Sequence, residues 1–312
     1  MIKNERFVVV MEKEYIGYPL YKRFFNVLEP YSCLRRGRVV RKFRTIAGKL
    51  FKNDFFCFNK KLLDPSITTF LIYDTINPNI VKFIRQKNKK ARIIIYYINP
   101  VRYSNDCSFY KSLGCETWSF DENDCKEFDM KWNPLHFFGE ELVGKTVTKR
   151  DVFFIGADKG RYSQIIDIKN ELETRGISCL FMITPNTNTP FYDKKKYSKR
   201  IRYSRNLELI NESKAILDVM QKGQSGFTMR IPESMLNHKK LITDNTRIKN
   251  YPFYCKDNIF ILGEDDIETI KTFVNAPWNH CKDEEIKDLS IKQWISKYRI
   301  DSIKINEGET GN

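Results

Sequence analysis

The sequence has no apolar run near the roughly 18 residues that a membrane-spanning helix needs, and its opening residues, MIKNERFVVV, lack the layout of a secretory signal. A cytoplasmic protein is therefore expected. Eight cysteines (33, 57, 107, 115, 125, 179, 255 and 281) contain no CxxC pair, and none stands at ligand spacing from any of the three histidines. They read as scattered reduced thiols, and no metal centre is expected. GxGxxG does not occur, so the dinucleotide reading loses its fingerprint. Internal repeats and low-complexity linkers are absent as well.

Acidic residues are the scarcer charge. Lysine and arginine number 54 against 39 aspartates and glutamates, a net charge of +15. The excess is uneven, with 28 basic and 16 acidic residues in 1–150 and 26 against 23 thereafter. Eight basic residues (Arg35, Arg36, Arg38, Arg41, Lys42, Arg44, Lys49 and Lys52) follow one another without an acid. Among them Val39, Phe43, Ile46 and Leu50 recur at helical spacing, which predicts a basic amphipathic helix. Such a helix is a solvated face, a surface for anionic membrane, or a binder of polyanions.

A length of 312 residues accommodates two domains, and 41% hydrophobic with 14% aromatic residues is a globular composition. Strands are expected at Phe7–Met11, Thr68–Tyr73, Ile93–Ile98 and Thr117–Phe120, with helices at Tyr18–Leu28 and Pro78–Gln86 among them. The pattern breaks near Gly144–Arg150. A fresh series then alternates strands (Val152–Ile155, Cys179–Ile183, Ala215–Val219, Lys240–Thr243, Ile259–Leu262) with helices (Tyr162–Arg175, Ser204–Ser213, Pro232–Asn237, Ile267–Val274), and a last helix covers Glu285–Tyr298. The expected fold is α/β, two Rossmann-like domains facing across a cleft. The expected boundaries are 1–147, 148–282, and a closing helix and tail over 283–312 that packs back toward the first domain.

Two segments carry chemistry. In FFIGADKGR, Gly156 allows a tight turn, while Lys159 and Arg161 set two cations where a strand meets a helix. In GQSGFTMRIPESMLNHKKLITDN a polar loop leads to a helix start, with Arg230 as a third cation. Glu233, inside that helix's first turn, can accept hydrogen bonds from a pair of sugar hydroxyls.

Together these segments resemble bacterial GT-B glycosyltransferases of the capsular and lipopolysaccharide biosynthesis type. The matching positions are Phe154, Gly156, Asp158, Lys159, Gly160 and Arg161; then Gln224, Gly226, Thr228, Arg230, Glu233 and Ser234; then Lys240, Leu241, Ile242, Thr243 and Asn245. SFDENDCKEFDMKW looks like that group's S-F-D-x-x-D segment, so the likeness spans roughly residues 117–262. It implies a nucleotide-sugar donor held by the C-terminal domain, with Glu233 on the ribose. Gly226, Phe227 and Thr228 would lie near the diphosphate, Lys159, Arg161 and Arg230 would neutralise it, and Gly156 and Ser225 complete the donor-binding set. No cofactor or metal is implied. Leu241 stands where a retaining E-x7-E pattern would have its second glutamate, which leaves the stereochemistry open.

The catalytic base is less defined. Asp74, directly after TTFLIY, is the best-placed carboxylate, with Asp121 and Asp124 as alternates. Asp74 also reads as a turn or cap residue, His136 as a packed core histidine, and His238 as a helix C-terminal partner. In the resulting picture a transferase moves a sugar to a lipid-linked glycan acceptor during surface polysaccharide assembly. Arg38, Arg41, Lys42, Arg44 and Lys49 would hold it at the inner face of the cell membrane, without a nucleic-acid partner. The rivals are a basic nucleic-acid-binding protein, and a GT-B-fold epimerase or non-catalytic partner.

Overall fold

Runs that are β-branched or aromatic throughout suit strands buried on both faces, and the computed structural model builds two parallel sheets from them. Described residues are 4–15, 17–32, 55–138, 147–186, 193 and 195–300. The basic segment, with Arg38, Arg41, Lys42, Arg44 and Lys49, lies outside them. The chain divides into two units, Met1–Asn133 with Ser296–Asn312, and Pro134–Ile295.

In the first unit the described strands are β1 (Phe7–Val10), β2 (Val27–Leu28), β3 (Thr69–Tyr73), β4 (Arg92–Tyr97), β5 (Glu116–Ser119) and β6 (Lys131–Trp132). They run parallel in the order β2-β1-β3-β4-β5-β6. Val8 lies opposite Phe70, and Leu71 opposite Ile94. Because side chains alternate along a strand, Val8, Val10, Phe70, Ile72, Ile93 and Ile95 share one face, and α2 (Asn79–Arg85) packs Ile80, Val81 and Ile84 into their cluster. The opposite face is aromatic. Tyr21 of α1 (Tyr18–Phe24) accepts a hydrogen bond from the Tyr73 hydroxyl, and Tyr73 meets Tyr96 edge-on at 5.9 Å. Two short helices, α3 (Cys107–Ser112) and α4 (Glu122–Glu127), are capped by Asp106 and Asp121.

The second unit contains β7 (Arg150–Ala157), α5 (Tyr162–Thr174), β8 (Cys179–Thr184), α6 (Tyr203–Asn211), β9 (Ser213–Asp218), α7 (Arg230–Leu236), β10 (Lys240–Thr243), β11 (Ile259–Ile261), α8 (Ile270–Asn275), α9 (Asp283–Lys287) and α10 (Ile291–Ser296). All described strands are parallel, in the order β11-β10-β9-β7-β8. Its first strand therefore sits between its second and third. The chain leaves β7 toward one edge and returns on the other side, so a crevice is expected at the carboxyl ends of β7 and β9.

Three departures from the sequence reading have local causes. The first helix stops at Phe24 because the next residues join the sheet edge, Val9 N–H bonding Asn26 O at 3.0 Å and Met11 N–H bonding Leu28 O at 3.2 Å. The expected helix over Glu285–Tyr298 is two helices, because Phe137 inserts between them. Its N–H reaches Leu289 O and its O accepts from Ile291 N–H, both at 2.9 Å. That stitching also groups 134–138 with the second unit, ahead of the 147/148 boundary, and keeps 283–295 there. The first unit regains the chain at Ser296.

Tyr298 anchors this return. It is fully buried, 4.7 Å from Trp118 and 6.4 Å from Tyr96 between ring centroids. Tyr298→Ala should cost about 3–5 kcal/mol in urea unfolding. A loss below about 1 kcal/mol would show that the C-terminal return does not hold the first unit together.

Candidate functional site

At the carboxyl ends of β7 and β9 two arginines converge. Arg161, just ahead of α5, is only 8% exposed; its Nη1 donates to Val219 O and its Nη2 to Ala157 O at 3.3 Å. It thereby bridges the two strand ends. Arg230, the first residue of α7, donates Nε–H to Ile155 O at 3.1 Å and Nη2–H to the same oxygen. Both guanidinia lie against Phe154, at 6.0 Å and 4.8 Å from its ring centroid. Gly156 is what this approach demands. A Cβ there would strike Arg230 Nη2 and stand 3.4 Å from Arg161 Nη2.

Nearby negative charge is limited and committed. Asp218, fully buried, accepts the Thr228 hydroxyl at 2.7 Å and the Thr243 hydroxyl at 3.2 Å, with Arg230 Nη1 3.6 Å away. Burial, then the Arg230 charge, pushes Arg161 down to about 10. The Lys159 ammonium is lowered by desolvation, then by the charges of Arg161 and Arg230. Arg161 Nε is buried with no hydrogen-bond partner among the described residues. The two guanidinia thus repel one another, and the Arg230 charge lowers the affinity of Arg161 for its proton.

The N-terminus of α5 does not supply that anion site. Asp158 Oδ1 already accepts the N–H groups of Gly160, Arg161 and Tyr162 at 3.0–3.1 Å, and its Oδ2 accepts the Tyr197 hydroxyl at 2.6 Å. The loop is thereby held rigid, with Lys159 at φ 49° and Gly160 at φ 79°. These backbone N–H groups are therefore committed to Asp158.

Glu233 lies one turn beyond Arg230 and is 4% exposed. Its Oε1 accepts the Tyr203 hydroxyl at 2.6 Å and Asn206 Nδ2 at 3.4 Å, while Oε2 carries no hydrogen bond among the described residues. Burial raises its carboxyl to about 7, against the opposing bond from Tyr203 and the Arg230 charge. Ser225 is buried, and Phe227 packs edge-on to Tyr251 at 5.2 Å and Phe253 at 6.1 Å. Gln224 Nε2 donates to Gly226 O at 2.9 Å. The loop over 223–229 is thus a folded structure, with Thr228 tied to the Asp218 carboxylate.

The candidate carboxylates of the first unit, Asp74, Asp121 and Asp124, are occupied structurally. Asp74 is 1% exposed, accepts Ile98 N–H at 3.0 Å and the Ser104 hydroxyl, and is raised to about 6 by burial. It clasps together the loops after β3 and β4. Asp121 caps α4 through the Asn123 N–H at 2.9 Å, and Asp124 accepts Val101 N–H at 2.8 Å. His136 is buried 4.0 Å from the Trp294 ring and driven down to about 3 by desolvation. Asp218, Tyr203 and Asn206 had no part in the sequence-based site. Asp218 had a signal, since a carboxylate closing a buried parallel strand stands where ligands bind.

No protein-family model matches the chain, and no curated protein matches it in sequence. Solved structures do match. A UDP-forming α,α-trehalose-phosphate synthase from Burkholderia vietnamiensis aligns with TM-score 0.59 at 9% identity, over 95% of this chain and 99% of that one. The Anabaena protein HepE, crystallised with UDP and glucose, aligns at 0.55 and 8% over 96% and 98%. A sucrose-phosphate synthase from Thermosynechococcus elongatus aligns at 0.55 and 8% over 94% and 97%. The chain has the GT-B fold. Within its second unit, Gly156, Lys159, Arg161, Thr228, Arg230 and Glu233 gather near the carboxyl ends of β7 and β9, whereas Asp74 and Asp121 belong to the first.

The buried carboxyl gives a pH test. Between roughly pH 4.5 and 7 folded Glu233 keeps a proton that the unfolded chain has released, so folded-state stability declines with rising pH across that window. Glu233→Gln removes this penalty. Its stability relative to wild type should rise between pH 5 and pH 8, by up to about 3 kcal/mol. A difference that stays flat or falls would contradict a protonated, buried Glu233.

Proposed function

We propose that the chain is a glycosyltransferase whose second unit binds the diphosphate of a nucleotide-sugar donor and whose first unit receives the acceptor. The observation that carries this reading is the Arg161–Arg230 pair, held over Gly156 and Phe154 at the carboxyl ends of β7 and β9. A leaving nucleoside diphosphate develops charge as the sugar departs, and fixed cations stabilise that charge without needing to reorganise. Lys159, on the adjacent turn, adds a third cation. No metal is required in this scheme, because the guanidinia take the place of a divalent ion. Glu233 would meet the donor ribose through Oε2. Proteins of the same fold that form or hold UDP support the choice of donor class.

The finer reading is transfer to a lipid-linked glycan in surface polysaccharide or lipopolysaccharide assembly. Among the described residues no helix is long and apolar enough to cross a membrane, so attachment would fall to the Arg35–Lys52 charge run. Basic residues near an anionic surface contribute about 1 kcal/mol each. A nucleic-acid role would use the same run but leaves the arginine crevice without purpose.

In a thermal-shift panel, UDP- or GDP-sugars should raise Tm, and Arg230→Met or Glu233→Ala should abolish the rise. A panel in which no nucleotide sugar moves Tm would remove the donor site. Co-sedimentation with anionic vesicles should weaken by at least about tenfold when Arg41, Lys42 and Arg44 are neutralised together; unchanged binding would dismiss the membrane role.

A further inference from the structure

One cluster of metal-ligating side chains lies outside the arginine crevice. His238, just past α7, and His280 and Asp283, at the start of α9, bring their ligand atoms within 4.8 Å of one another. His280 Nδ1 is 2.7 Å from Asp283 Oδ2, and His238 Nε2 is 3.9 Å from Asp283 Oδ1. The donors of a tetrahedral zinc site with bonds near 2.0–2.1 Å stand roughly 3.3 Å apart, so small side-chain rotations suffice. Trp278 orients two of the three. Its ring stacks on His238 at 5.2 Å, and its Nε1–H donates to Asp283 Oδ1 at 3.3 Å, the outer-shell support that metal ligands commonly have. Both imidazoles are exposed, which leaves a fourth position for water.

We infer that His238, His280 and Asp283 form a surface site for a divalent transition ion of the zinc class. Two imidazoles and a carboxylate select such ions over magnesium or calcium, which prefer all-oxygen cages. Zinc held here would staple the C-terminal end of α7 to the start of α9. The site is structural and separate in chemistry from glycosyl transfer. The sequence-based expectation of no metal did not anticipate such a cluster, because residues 42 positions apart meet only in the fold. Cys281, next to His280 in sequence, stands 3.2 Å from the Cys255 sulfur, so these thiols are the competing ligands to control for.

The test is Zn2+ alone, titrated into the full chain against a chromophoric chelator. A single equivalent should bind and raise Tm, and His280→Ala and His238→Ala should each weaken binding by at least about tenfold. Trp278→Phe, which keeps the stacking and loses the N–H, should weaken it by a similar factor. The Cys255→Ser/Cys281→Ser variant should bind zinc as the wild type does, and its Co2+ form should lack a thiolate charge-transfer band. Absence of binding, indifference to both histidine substitutions, or loss in the cysteine variant would each overturn the assignment. UDP-induced Tm shifts should survive His280→Ala, which separates failure here from failure of the donor site.

Discussion

The second unit is organised around two guanidinium groups pressed over one glycine. Arg161 and Arg230 reach Gly156 from different elements, and each is fixed on backbone carbonyls at the strand ends. Their positions require β7 to sit between β8 and β9, since Arg161 spans from Ala157 to Val219. They also require the loop over 223–229 to be folded, since Thr228 is tied to Asp218, the carboxylate nearest Arg230. Burying a cation costs several kcal/mol unless it is well paired. Here the pairing is partial, with Arg161 Nε unmet among the described residues. Such partly paired buried charge is the kind of arrangement that functional sites often carry at a cost in stability.

Helix α7 links the site's parts. Its first residue is Arg230, its first turn carries Glu233, and the residue two past its end is His238, whose φ of 50° turns the chain toward β10. Lys239 N–H returns to Ser234 O, and Ser234 Oγ donates to Lys239 O, closing that end. A rigid short helix of this kind passes a constraint from one end to the other. A cation on His238 would thus restrain the element that presents Arg230.

Much of the fold was legible in the sequence because buried parallel strands announce themselves as unbroken apolar runs. TTFLIY, RIIIYY and AILD all became strands at the expected places. Less legible were features made by long-range partners. The two-residue β2 exists only through its pairing with β1, and the break between α9 and α10 only through Phe137. At the site, Gly156, Lys159, Arg161 and Arg230 were readable as a glycine and cations beside helix starts. Asp158 was not readable as the group that claims the α5 N–H donors, because a carboxylate's partners depend on the turn it adopts. Tyr203 and Asn206, which hold Glu233, lie 27 to 30 residues upstream of it and leave no local signal.

The central claim is that the arginine pair is a diphosphate site, and calorimetric titration with UDP, UMP and uridine tests it most directly. UDP should bind at least about tenfold more tightly than UMP, a difference of about 1.4 kcal/mol. Arg161→Ala with Arg230→Ala should erase that preference. Equal affinities for UDP and UMP in the wild-type chain, or a preference that survives the double substitution, would contradict it.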